Sequence, residues 1–149
     1  VNKIATLSFA LGLALSGAVL PVCAQGSTTA ASSEQAKVIY HINDSAGQAL
    51  AALRNMRNQL DTDPKARIVA VAHADGIEFL ETDYKDADTV GPLISGLASR
   101  GVQFEVCEIT MERKELTKDD FVMEAQFVPS GVVRITELQN KDGYAYIKP

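Results

Sequence analysis

Three side chains carry most of the reactive chemistry in this sequence: Cys107 at the end of "GVQFEVC", His41 at the end of "KVIYH" and His73 at the end of "RIVAVAH". Each lies at or next to the end of a short apolar run, in the segments "HIND", "HADG" and "CEIT". A thiolate can attack sulfur, ligate a soft metal or be oxidised, while imidazole can move a proton or bind zinc or copper. His41, His73 and Cys107, with Asp44 or Asp75, therefore form a candidate zinc or copper set, although no close-spaced ligand motif joins them. The one other cysteine, Cys23, lies in a segment of different character. Cys107 is then left without a disulfide partner, as either a buried inert thiol or a working one.

The elements around these residues follow from periodicity. "KVIYHI" is β-branched and aromatic, and it stops at "NDS", where Asp44 or Ser45 can cap a helix. Ala46, Leu50, Leu53, Met56 and Leu60 then recur at spacings of three and four, which predicts an amphipathic helix over 45–60. "ARIVAVAH" is almost continuously apolar, as expected of a strand covered on both faces. "ADG" turns the chain, and residues 77–84 fit a short helix or an ordered loop. "DADTVGPLISGLASR" predicts a helix with Pro92 near its start and Gly101 as its stop.

In "VQFEVC" the side chains alternate, so that Val102, Phe104 and Val106 face one way and Gln103, Glu105 and Cys107 the other. "EITMERKEL" reads as helical, and Thr117 marks a second helix start. "EAQFVP" predicts a fourth strand and "SGVVRITELQNKDG" a helix capped by Ser130 with Val133 and Leu138 inward. "YAYIK" predicts a fifth strand. Strands alternating with helices imply βαβ units and a parallel sheet between helical layers. Right-handed crossovers bring the strands' carboxyl ends to one edge, where ligands bind in open α/β sheets. His41, His73 and Cys107 all fall on that edge, and Cys107 is expected on an open rim.

Residues 1–24 differ in kind. Lys3 precedes an apolar run from Ile4 to Val22, and "VCAQG" offers small residues for cleavage after Ala24, the pattern of a secretory signal peptide. Residues 25–35 are small and polar, a flexible lead-in. The expectation is a periplasmic or secreted product with no membrane segment after cleavage. Residues 36–149 suit one domain. The formal charge of −5 becomes −6 without Lys3, the leader's one charged residue, and no basic block remains to neutralise phosphates, so nucleic acid is excluded as a partner. No nucleophile triad, phosphate loop or dinucleotide fingerprint is present. The four tyrosines read as packing residues, and "DTDPK" lacks the spacing and glycine of a calcium loop. "PSG" reads as a helix start whose capping explains it, with anion binding through free amides as the other reading.

The succession "KVIYHIND", "RIVAVAHADGIEFL", "RGVQFEVCEIT" and "FVPSGVVRITELQ" resembles the DsrE/DsrF-like family, specifically its exported branch, across essentially the whole of 36–149. The resemblance implies a three-layer α/β/α sandwich with a five-stranded parallel sheet, and assembly as a homo-oligomer, a trimer or hexamer. It also implies sulfur relay, in which sulfur is carried as a persulfide on a single cysteine and exchanged with a donor or acceptor protein. No cofactor is implied. Cys107 occupies the position of the sulfur-carrying cysteine. Its thiolate would gain from the amino end of a helix at 108–115 and lose from Glu105, Glu108 and Glu112, so modest activation is expected unless His41, His73 or Arg113 supplies positive charge. The alternative is a non-catalytic oligomeric module that binds a ligand or senses redox state through Cys107.

Overall fold

The computed structural model describes residues 35–149; the leader and nearly all of the lead-in expected from the sequence lie outside these residues. Five strands, β1 (Lys37–Asp44), β2 (Arg67–Asp75), β3 (Gln103–Cys107), β4 (Ala125–Val128) and β5 (Ala145–Ile147), form one sheet in the order β4-β3-β2-β1-β5. Every neighbouring pair of strands is parallel. The chain starts near the middle of the sheet, runs outward to β4 and returns through its last helix to place β5 beside β1. Among the described residues no helix is long and apolar enough to cross a membrane.

Helix α1 (Ser45–Thr62) begins where Asp44 takes extended backbone angles and accepts the Gly47 amide at 3.2 Å, the N-cap that the sequence offered. Its buried stripe is Ala49, Ala52, Leu53, Met56 and Leu60. The buried Ser45 hydroxyl donates to the Asp75 carbonyl at 2.8 Å and accepts the Phe79 amide at 3.0 Å, tying the start of α1 to the end of β2. Gly76 is needed here, because a Cβ would lie 2.2 Å from the Ile42 carbonyl oxygen. The undecided stretch after it contains a short 3-10 turn, Glu78–Leu80. Helix α2 (Ala87–Ala98) holds Pro92 in its second turn, deeper than the start position expected. Gly101 follows with φ of +91°, a left-handed conformation that other residues seldom adopt.

Helix α3 (Glu108–Arg113) leaves β3 directly and is shorter than the sequence suggested. Thr117 and Asp120 form a reciprocal capping box on a 3-10 turn, Lys118–Asp120. Helix α4 (Gly131–Asn140) starts after Ser130 as expected, but the Ser130 side chain makes no capping bond. Ile135 and Leu138 are its inward apolar residues; Val133, expected inward, is 56% exposed.

Alternation along the strands divides the core. Val38, Tyr40, Ile42, Ile68, Ala70, Ala72, Phe104 and Val106 pack under α1 and α2, with Met111 of α3 in the same cluster. Ile39, Val69 and Val71 pack with Ile135 and Leu138 of α4. The expected three-layer α/β/α sandwich is therefore present, with one layer carried by α4 alone among the described residues.

Candidate functional site

Cys107 is the last residue of β3 and the N-cap of α3. Its side chain makes no capping hydrogen bond to α3, but the backbone N–H groups of Ile109, Thr110 and Gly131 and the Thr110 hydroxyl lie near enough to the sulfur to favour its charged form. The first two amides belong to the opening turn of α3, whose N-cap position Cys107 holds. The Gly131 amide comes from the opening of α4, so two helix amino ends meet at one atom. Thr110 Oγ1 accepts the Ala74 amide at 3.1 Å, which leaves its proton for the sulfur. Burial alone pushes the Cys107 thiol up, but the amide of Gly131, the hydroxyl and amide of Thr110 and the amide of Ile109 outweigh it, holding the thiol below its ordinary value.

Gly131 makes this approach possible. A Cβ there would lie 3.3 Å from His73 Cβ, 3.4 Å from Cys107 Cβ and 3.5 Å from Val71 Cγ1, so even a methyl group would have to be accommodated by a small shift of its neighbours. Of the two readings of "PSG", free amides facing an anion is the one the geometry resembles, with a thiolate as the anion. The sulfur does not stand on an open rim, however. Cys107 is 4% exposed. The start of α4 roofs the end of β3, an arrangement that strand periodicity does not reveal.

The acidic neighbours expected to oppose ionisation are neutralised or turned away. Glu105, 3% exposed and on the same face as Cys107, forms a two-pronged pair with Arg134 of α4, with Nε at 2.9 Å from Oε2 and the terminal nitrogen at 2.9 Å from Oε1. Glu108 pairs with Lys118 at 3.0 Å, and Glu112 is exposed. A groove of about 470 Å3 runs beside the ion pair, lined by Val128, Pro129, Ser130 and Val133 among others.

The structure brings the two histidines together. His41 Nε2 lies 2.6 Å from His73 Nε2, and His41 Nδ1 lies 2.6 Å from the Tyr146 hydroxyl, making a chain of three side chains along one sheet edge. Tyr146 thus does more than the packing its sequence context suggested. Burial, then repulsion from His73 and Lys148, holds His41 down at about 4; burial, then Lys148, lowers His73. Both rings are therefore neutral near pH 7. His73 sits on the same face as Cys107, one residue beyond the aligned pair Ala72 and Val106, but its Nε2 is engaged by His41 instead. Arg113 is exposed on the last turn of α3 and has no ion pair among the described residues. Positive charge from Arg113 is not what lowers the thiol. Nor do three or more His, Cys, Asp or Glu side chains among the described residues converge as metal ligands, so the three-residue set of His41, His73 and Cys107 is not assembled.

Sequence reasoning missed Thr110, Gly131, Arg134 and the part played by Tyr146. Only "PSG" carried a signal for any of them.

With this geometry in view, comparisons with known proteins place the chain. No curated protein matches it. A solved structure from Methanobacterium thermoautotrophicum, described as a protein of unknown function, MTH1491, is 29% identical with a TM-score of 0.70; the match covers 77% of this chain and 100% of that one. The model of the DsrE/DsrF-like family matches residues 22–149, and the chain belongs to that family.

Proposed function

We propose that Cys107 carries sulfur as a persulfide, within the sulfur relay that family membership suggests. The observation behind this reading is the place of Cys107 at the N-cap of α3 with the opening of α4 packed against it, where the nearby Gly131, Thr110 and Ile109 amides and the Thr110 hydroxyl favour its thiolate. In the step proposed, the Cys107 thiolate attacks the outer sulfur of a donor persulfide, R–S–SH. A new S–S bond forms, the donor's S–S bond breaks, and the donor leaves as a thiolate with the bonding pair. The proton stays on the transferred sulfur, and no outside oxidant or reductant is consumed. The amides that favour the thiolate before attack give it the low pKa of a good leaving group when sulfur passes to the acceptor. Export and assembly as a homo-oligomer belong to the same reading and rest on the leader pattern at 1–24 and the family resemblance.

Incubation with cysteine hydropersulfide, followed by mass spectrometry without reductant, tests the proposal. Gain of one sulfur on wild type and none on Cys107→Ser is the expected result; an unmodified wild-type chain overturns it. The 4% exposure of Cys107 favours a second reading, a thiol that serves the fold or senses redox state. A disulfide-linked dimer or an oxygen adduct in the same spectrum would support sensing, and inertness to every reagent a purely structural role.

A further inference from the structure

The head-on histidine pair is a candidate ligand site independent of the sulfur. The 4.7 Å between the ring centroids exceeds the 2.6 Å between the Nε2 atoms by nearly twice the distance from an imidazole centre to its own nitrogen. The rings therefore meet nitrogen to nitrogen rather than stacking. One N–H shared between two acceptors already occupies this gap. The geometry points to a two-coordinate site for Cu(I), held between His41 Nε2 and His73 Nε2 with Tyr146 orienting the outer ring.

The ligand set selects the ion. Two neutral imidazoles and no carboxylate exclude calcium and magnesium, which need several oxygen ligands. A structural zinc site calls for four ligands and a catalytic one for three, whereas no such group converges among the described residues. Cu(I) accepts imidazole and is satisfied by two donors in line. Lys148, anchored to the Asn43 side-chain oxygen at the same strand ends, repels a divalent ion more strongly than a monovalent one. Metal–nitrogen bonds of about 2 Å require the nitrogens to part to about 4 Å. Both rings are half-buried, and Tyr146 beyond them is 41% exposed, so the outer ring can swing toward solvent. With His41 Nδ1–H donating to the Tyr146 hydroxyl oxygen, Nε2 of that ring is left for the metal, and the proton shared with His73 Nε2 moves to His73 Nδ1 on binding.

Anaerobic titration of the untagged chain with Cu(I), using bicinchoninate as competing chelator, tests the inference. His41 and His73 are the chain's two histidines, and Cu(I) is diamagnetic, so the imidazole proton resonances of wild type report binding directly. The expected result is uptake of one equivalent with both imidazole signals shifting together. Cys107→Ser should bind equally well, Tyr146→Phe about tenfold more weakly, and His73→Gln should lose competition altogether. X-ray absorption on the wild-type complex should show two nitrogen neighbours and no sulfur. Failure to take copper from the chelator overturns the inference, as does binding that survives His73→Gln and disappears in Cys107→Ser. Because Cys107→Ser abolishes persulfide formation while keeping the copper site, failure of either proposal is distinguishable from failure of the other.

Discussion

The two faces of one sheet are built on opposite plans. Under α1 and α2, successive strands present Tyr40 and Ile42, Ala70 and Ala72, Phe104 and Val106, all apolar. On the other face the same strands present Ile39 then His41, Val71 then His73, and Glu105 then Cys107, beneath α4. Each strand thus has apolar or ion-paired residues in the body of the sheet and a reactive one at its carboxyl end. The lesson is a division of labour by parity. Odd and even positions of one strand see different environments, so a thick apolar layer can hold the sheet while the opposite face tolerates polar groups.

Truncation separates the two plans most sharply. Phe104→Ala, in the apolar layer, should cost about 3–5 kcal/mol in urea unfolding, enough to threaten the fold of a typical domain. Arg134→Ala on the other face leaves the buried Glu105 carboxylate unpaired and should cost about 3 kcal/mol, the low end for a broken buried pair because Arg134 is 30% exposed. The double replacement Glu105→Leu with Arg134→Leu should recover most of that loss. If it does not, the pair's role is packing rather than charge balance.

Gly131→Ala is a finer probe. Contacts of 3.3–3.5 Å need a shift of only a few tenths of an ångström, so the change in stability should stay below about 1 kcal/mol. Its specific signature is a shift of Cys107 alkylation to higher pH as the Gly131 amide withdraws, measured as iodoacetamide rate against pH. A rate profile unchanged from wild type would mean that α4 contributes nothing to the thiolate.

Acid provides a test with a defined sign. Above pH 6.5 the His41 ring is neutral in both folded and unfolded chains. As pH falls from about 6.5 toward 4, the unfolded chain takes up a proton that folded His41, held at about 4, refuses. Stability should decline across that window, seen as a falling melting temperature, and His41→Gln should flatten the slope. The smallest effect is expected at Val132 and Val133, 60% and 56% exposed on α4, where replacement by Thr should change stability by less than about 0.5 kcal/mol.

The same parity explains what could be read in the sequence. Alternation in "VQFEVC" and the three-four spacing of α1 made the sheet, its direction and the common edge legible, because those patterns are local. Placing His41, His73 and Cys107 on that edge followed from connectivity alone. The contact of His41 with His73, the Arg134 clasp on Glu105 and the Gly131 roof over Cys107 join residues 24 to 32 positions apart, and no local pattern encodes which side chain arrives. The exposure of Cys107 failed for the same reason. Val133 was misjudged because the helix turns Gly131, Ile135 and Leu138 inward, a stripe that starts on a residue with no side chain to announce it.

Since the first residue of α4 packs directly on Cys107, with a Cβ at Gly131 falling 3.4 Å from the cysteine Cβ, an atom added to that sulfur under the proposed relay would act as a wedge under the helix. Loading and unloading should be legible as loosening and tightening of the Gly131–Arg134 turn, visible in amide hydrogen exchange. Under that proposal the support of this layer would be chemically variable, and the stiffness of the roof would record what the thiol last met.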